Sequence, residues 1–81
     1  MAELFQVLVP KVGMDTTEVQ IAQWLAKVGD SLLQGAPLAE LETEKTTYTL
    51  ESDVAGELVE IYQPEKSVVP VGQALCAIKI K

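Results

Sequence analysis

Histidine is absent from this 81-residue sequence. That removes the commonest general base, the commonest neutral-pH switch and the commonest zinc ligand together. Cysteine occurs once, at Cys76, which excludes an intramolecular disulfide framework and any multi-cysteine metal site. Bases are scarce: six stand against twelve acids, for a formal charge of -6. Nucleic acid and anionic membrane both require clustered Lys and Arg, so neither is expected as a partner. No basic amino-terminal region and no long apolar run is present, so neither a signal peptide nor a transmembrane helix is read from the chain. A lone cysteine fits a reduced, cytoplasmic setting. The length fits one domain, residues 1–81, and is short for an enzyme with a deep cleft. What the chain does have is apolar content, 48 %, enough for a packed core. The composition therefore favours a carrier or binding module over a self-sufficient catalyst.

The apolar pattern predicts many short strands. Phe5, Val7 and Val9 alternate with Leu4, Gln6 and Leu8, and Pro10 stops the run. Residues 46–51 are rich in β-branched and aromatic types, and 57–62 and 74–81 read similarly. Turn residues punctuate the chain repeatedly, at 10–13, 29–30, 35–37, 53–56, 64–66 and 70–72. That spacing predicts a sandwich or barrel. Val19, Ile21, Ala22, Trp24, Leu25 and Val28 fit either a helix stripe or a bent, bulged strand. The β-branched content and the Gly29-Asp30 stop favour the strand.

The chain also resembles itself. A shift of 37 residues brings Ile21 onto Leu58, Asp30 onto Ser67, Leu32 onto Val69, Gly35 onto Gly72, Leu38 onto Leu75 and Leu41 onto Ile78. Chance likeness between β-rich segments would give some of this. If the repeat is real, the domain is two four-strand units about an approximate two-fold axis, which would protect the strand edges. The shift carries Glu44 onto Lys81, so the chain's last residue is expected at the pole opposite Lys45.

Residues 38–51 hold the candidate chemistry. With Glu44-Lys45 as a two-residue hairpin tip, Leu41 faces Tyr48, Glu42 faces Thr47, Glu40 faces Thr49 and Ala39 faces Leu50. Leu41, Tyr48, Ala39 and Leu50 then share one face and Glu42, Thr47, Glu40 and Thr49 the other; a one-residue slip would mix them. The tip lacks the Asn-Gly or Gly-X signal of favoured hairpin turns, so a type I turn is needed. A lysine at such a tip is ordinarily a solvated charge. A catalytic lysine needs burial or neighbouring cations to depress its pKa, and Glu44 and Thr46 offer neither. Lys45 is therefore an exposed amine that another enzyme can acylate.

The stretch Glu42-Thr43-Glu44-Lys45-Thr46, with Gly56 eleven residues after the lysine, resembles a lipoyl attachment site. Val9-Pro10-Lys11-Val12-Gly13-Met14, Trp24-Leu25-Ala26-Lys27-Val28-Gly29-Asp30, Pro37-Leu38-Ala39-Glu40-Leu41-Glu42 and Val71-Gly72-Gln73-Ala74-Leu75 agree with it in order. The whole chain is similar to the lipoyl domain of the dihydrolipoamide acyltransferase component of 2-oxo acid dehydrogenase complexes. The resemblance implies an all-β flattened barrel or sandwich of two four-stranded antiparallel sheets, a barrel-sandwich hybrid with internal two-fold pseudo-symmetry. It implies lipoate in amide linkage on Lys45, attached by a lipoate ligase or by octanoyl transfer and sulfur insertion. Glu42, Glu44, Thr46 and Gly56 would support or be recognised with it. The implied partners are a thiamine-diphosphate-dependent decarboxylase that reductively acylates the arm, an acyltransferase core that passes the acyl group to coenzyme A, and a flavin-dependent dihydrolipoyl dehydrogenase. The domain would be a non-catalytic monomeric carrier on a swinging arm, cytoplasmic, or in the mitochondrial matrix if eukaryotic.

Departures and alternatives stand beside this reading. The family usually has Asp-Lys-Ala where this chain has Glu44-Lys45-Thr46, a Gly where Val19 stands, and Gly-Asp where Lys66-Ser67 stands. The last substitution predicts a strained or different turn. A biotin carboxyl carrier shares the fold but resembles its relatives in having Met on both sides of the lysine, which Glu44 and Thr46 are not. A glycine-cleavage carrier is typically longer, and an unmodified interaction module could use the same fold. Gly56 is expected at a positive φ or a close backbone approach. Trp24 and Cys76 are expected in the core, Cys76 as an inert thiol. The loop 11–17 is a candidate for partner discrimination or a plain connection. Glu40, Glu42, Glu44 and Glu51 form a solvated face or an acidic surface that steers a basic partner.

Overall fold

In the computed structural model, which describes residues 3–11 and 16–80, alternating apolar residues build eight strands and no helix. They are β1 (Leu4–Leu8), β2 (Glu18–Trp24), β3 (Ser31–Leu32), β4 (Pro37–Glu42), β5 (Thr47–Glu51), β6 (Gly56–Ile61), β7 (Val68–Pro70) and β8 (Ala74–Ile80). They form two four-stranded antiparallel sheets, ordered β1-β8-β6-β3 and β5-β4-β2-β7. The inward faces supply one core, in which Ile21, Leu38, Leu41, Leu58, Leu75 and Ile78 are fully buried. The fold class read from the sequence is borne out as a flattened sandwich. It is not closed into a barrel: the edge strands β1 and β5 leave an open groove lined by Phe5, Val7, Leu8, Tyr48 and Leu50. The 19–28 segment is the bulged strand, β2, and it ends at Trp24.

The 37-residue repeat is built into the hydrogen bonds. Ile21 pairs with Leu41 and Leu58 with Ile78; Gln23 pairs with Glu40 and Glu60 with Ala77. Both ladders slip at the same place, between Ile21 and Gln23 and between Leu58 and Glu60. Between the halves, the Gly29 amide donates to Leu58 O (2.7 Å) and the Lys66 amide to Ile21 O (2.6 Å). The Leu58 amide donates to Asp30 O and the Ile21 amide to Ser67 O, both at 3.0 Å. Strands β1 and β5 are also equivalent by position in their sheets, but their offset is 43 rather than 37. The connection after β1, nine residues, is longer than its four-residue counterpart after β5.

The two halves differ at one turn, as the Lys66-Ser67 departure predicts. Gly29 and its counterpart Lys66 both take a left-handed φ, 99° and 74°, and Lys66 is the only non-glycine residue to do so among those described. Asp30 Oδ2 accepts from the Lys27 amide at 2.8 Å. The counterpart of Lys27 is Pro64, which has no N–H to give. Ser67 suits that position because its hydroxyl reverses the polarity and donates to Pro64 O at 2.5 Å.

Gly56 has no positive φ; close approach is its constraint. A methyl placed on it would collide with the Lys79 carbonyl oxygen and come within 2.9 Å of Ile78 Cγ2. Cys76 lies fully buried in β8, at the position equivalent to Ala39, and burial pushes its thiol up to about 11 from an ordinary 9.0. Trp24 is half-buried against the core, with its indole N–H donating to Gln63 O at 2.9 Å.

Three outcomes follow for thermal unfolding. Gly56→Ala lowers stability by about 1–3 kcal/mol, because the added methyl meets backbone rather than a side chain that can turn away. Lys66→Gly raises it by about 0.5–1 kcal/mol, since the left-handed cost of about 1–2 kcal/mol exceeds the extra freedom glycine gains on unfolding. The third concerns pH. The folded thiol keeps its proton where the unfolded one loses it, so Cys76's contribution is intact below pH 9 and is lost as pH rises toward about 11. The stability gap between wild type and Cys76→Ala therefore narrows between pH 9 and 11, measured by unfolding at each pH.

Candidate functional site

The β4–β5 hairpin carries the candidate site, and its register is the one the face pattern selects. Leu41 pairs with Tyr48, Glu42 with Thr47, Glu40 with Thr49 and Ala39 with Leu50. Ala39, Leu41 and Leu50 are buried on the core face. Tyr48 shares that face but is 41 % exposed, because it borders the open groove toward β1 rather than the sealed interior. On the opposite face Glu42, Thr47 and Thr49 are exposed and Glu40 is half-buried. Glu42 and Glu40 face Gln20 and Gln23 of β2, so no base stands beside them in the ladder.

Glu44 and Lys45 occupy the two apical positions, and both are exposed. Neither has a positive φ, which excludes the I′ and II′ turns of most two-residue hairpins. Closure of the tip comes from Thr43, whose role the sequence reading did not identify. The Thr43 amide donates to Thr46 O at 2.9 Å. Thr43 Oγ1 accepts from the Lys45 amide (3.3 Å) and the Thr46 amide (3.1 Å), and donates to Thr46 O (3.2 Å). The signal that could have found it is a hydroxyl residue just before a tip without glycine, where such side chains replace a backbone turn bond.

The Lys45 side chain makes no hydrogen bond or ion pair with any described residue. It is a solvated primary amine on a braced stalk, free to accept an acyl group and to carry a long substituent without steric conflict. Glu42, Glu44 and Thr46 lie with it at this end of the hairpin. Gly56 does not: it begins β6 beyond the far end of β5 and contacts β8 and β3 instead. Residues 12–15 of the loop 11–17 and Lys81 lie outside the described residues, as does the expectation that Lys81 sits opposite Lys45. Thr17, at the end of that loop, accepts from the Val71 amide at 3.0 Å.

Comparison with known proteins agrees with this geometry. The biotin/lipoyl family model, described as "Biotin-requiring enzyme", matches residues 5–78. The dihydrolipoyllysine-residue acetyltransferase component of the pyruvate dehydrogenase complex of Mycobacterium tuberculosis (strain CDC 1551 / Oshkosh) is 42 % identical over 74 residues. That alignment takes in 91 % of this chain and 13 % of the relative, so the chain spans only a small part of that protein. The solution structure of the lipoyl domain of the Azotobacter vinelandii 2-oxoglutarate dehydrogenase complex superposes with a TM-score of 0.74 at 20 % identity, covering 94 % of this chain and 95 % of that one. A single-chain, multi-domain long-chain acyl-CoA carboxylase also contains the fold, with a TM-score of 0.76 at 19 % identity over 99 % of this chain and 7 % of that one. The two superpositions show the fold, and the sequence likeness lies with the acyltransferase component. The chain belongs to the biotin/lipoyl-attachment family, as a lipoyl domain of the acyltransferase type.

Proposed function

We propose that Lys45 carries lipoate in amide linkage and that the chain serves as the acyl carrier of a 2-oxo acid dehydrogenase complex. The observation that carries this reading is the exposed amine at the apex of a closed two-residue turn, with no partner among the described residues. Lys45 Nζ must lose a proton and attack an activated acyl carbon. Its exposure lets an external active site supply the base, which this histidine-free chain does not. When attached, the dithiolane supplies acyl acceptance from a thiamine-diphosphate-dependent decarboxylase, delivery to an acyltransferase core and reoxidation by a dihydrolipoyl dehydrogenase. The chain's own contribution is to hold the attachment point rigid, leave the arm free and keep its concentration high at each partner. The flanking Glu44 and Thr46 favour lipoate over biotin, whose carriers resemble one another in flanking methionines. This reading places the chain in the cytoplasm, or in the mitochondrial matrix of a eukaryote.

Intact-mass measurement tests it directly. Incubated with a lipoate ligase and with a biotin ligase, the chain is expected to gain one lipoyl group, mapped to Lys45, and no biotinyl group. Lys45→Arg is expected to fold with an unchanged unfolding midpoint and to gain nothing. A biotinyl adduct makes the chain a carboxyl carrier. No adduct with a competent ligase makes it an unmodified interaction module.

A further inference from the structure

The hydroxyl of Thr43 closes a tip that lacks the glycine most hairpins of this length carry at one of their two apical positions. Two-residue loops join strands well when a left-handed residue matches their twist, and Glu44 and Lys45 are not left-handed. A hydroxyl can donate once and accept twice, and Thr43 Oγ1 does all three. Both amides that it satisfies lie at or beside the reactive residue: those of Lys45 and Thr46. The backbone of Lys45 is therefore tied to the base of the hairpin through one side chain, while its own side chain stays free.

We infer that Thr43 is a positioning residue for modification of Lys45: its hydroxyl holds the tip in the conformation that a modifying enzyme must bind. The inference rests on the reading of Lys45 as the attachment lysine. It predicts a particular kinetic signature. Loss of the hydroxyl leaves the lysine chemically intact but lowers the fraction of hairpins in the bound conformation, and apparent affinity falls by that fraction. The change belongs in KM, not kcat.

The test compares Thr43→Val, which keeps the shape and loses the hydroxyl, with Thr43→Ser, which keeps the hydroxyl. Amide hydrogen exchange at Lys45 and Thr46 and the kinetics of lipoate ligase on the whole chain are measured for each. In Thr43→Val, exchange at both amides and KM are expected to rise about five- to tenfold, the effect of about one lost hydrogen bond, with kcat unchanged. Thr43→Ser is expected to stay within about twofold of wild type in both. Wild-type exchange and KM in Thr43→Val overturn the inference, and so does a Thr43→Ser variant that behaves like it. If the wild-type chain accepts no lipoate, the attachment reading fails, and the exchange rates alone decide whether Thr43 holds the turn.

Discussion

Neither half of this chain can bury its own apolar residues. Each sheet takes two strands from residues before the hairpin tip and two from after it: β1 and β3 with β8 and β6, β4 and β2 with β5 and β7. Ile21 and Leu41 from the first half, and Leu58 and Ile78 from the second, reach zero exposure only because the halves interlock. At this size a core is marginal, so the interlocking is what makes the domain stable at all. The cross-links that enforce it are backbone bonds, such as the pair from Gly29 to Leu58 and from Lys66 to Ile21. Lys66 accepts a left-handed backbone because that bond has to be made in both halves. The left-handed residue at the first copy is glycine, and at the second copy the sequence tolerates lysine at some cost in stability.

The same interlocking explains which features were legible in the sequence. The hairpin register could be read because its two faces differ so sharply: Leu41 and Ala39 cannot trade places with Glu42 and Glu40. The repeat could be read over β2, β3 and β4 because one offset serves all three. It was invisible for β1 and β5, because the longer connection between β1 and β2 breaks the offset. The two- and three-residue strands β3 and β7 show no alternation long enough to see, and only the repeat implies them. Tyr48 was placed on the correct face, yet its exposure depends on β1 and β5 not meeting, which pairing rules within a hairpin do not contain.

At the site, residue types were legible and their connections were not. Lys45, Glu44 and Thr46 stand at the tip as the motif implies. Gly56, eleven residues later, serves a different place: it lets β6 approach the Lys79 carbonyl. A spacing in sequence tells nothing about which end of a strand a residue occupies. Thr43 entered the sequence reading only as part of the motif, but its side chain closes the turn. The Ser67 departure is explained by a neighbour's chemistry, since Pro64 removes the donor that an aspartate would need.

The chain has six lysines, and a modifying enzyme must choose one among them. Lys66 spends its ammonium on Ala22 O, at 3.2 Å, and its backbone on a strained turn. Lys79 lies within a strand, flanked by Leu4 on one side and Glu57 on the other. Lys27 also sits in a turn with its amide held by a side chain, Asp30 Oδ2, but that turn joins strands of opposite sheets and lies against the body of the sandwich through the Gly29–Leu58 bond. Lys45 alone among the described lysines combines an unengaged ammonium, a backbone amide already satisfied and the apex of a two-stranded projection. There an active site can surround the amine without displacing part of the domain. On the proposed reading, acylation removes the single base from a hairpin that also holds Glu40, Glu42, Glu44 and Glu51, and the net charge moves from -6 to -7. The modification thus changes the field of the hairpin as well as its length.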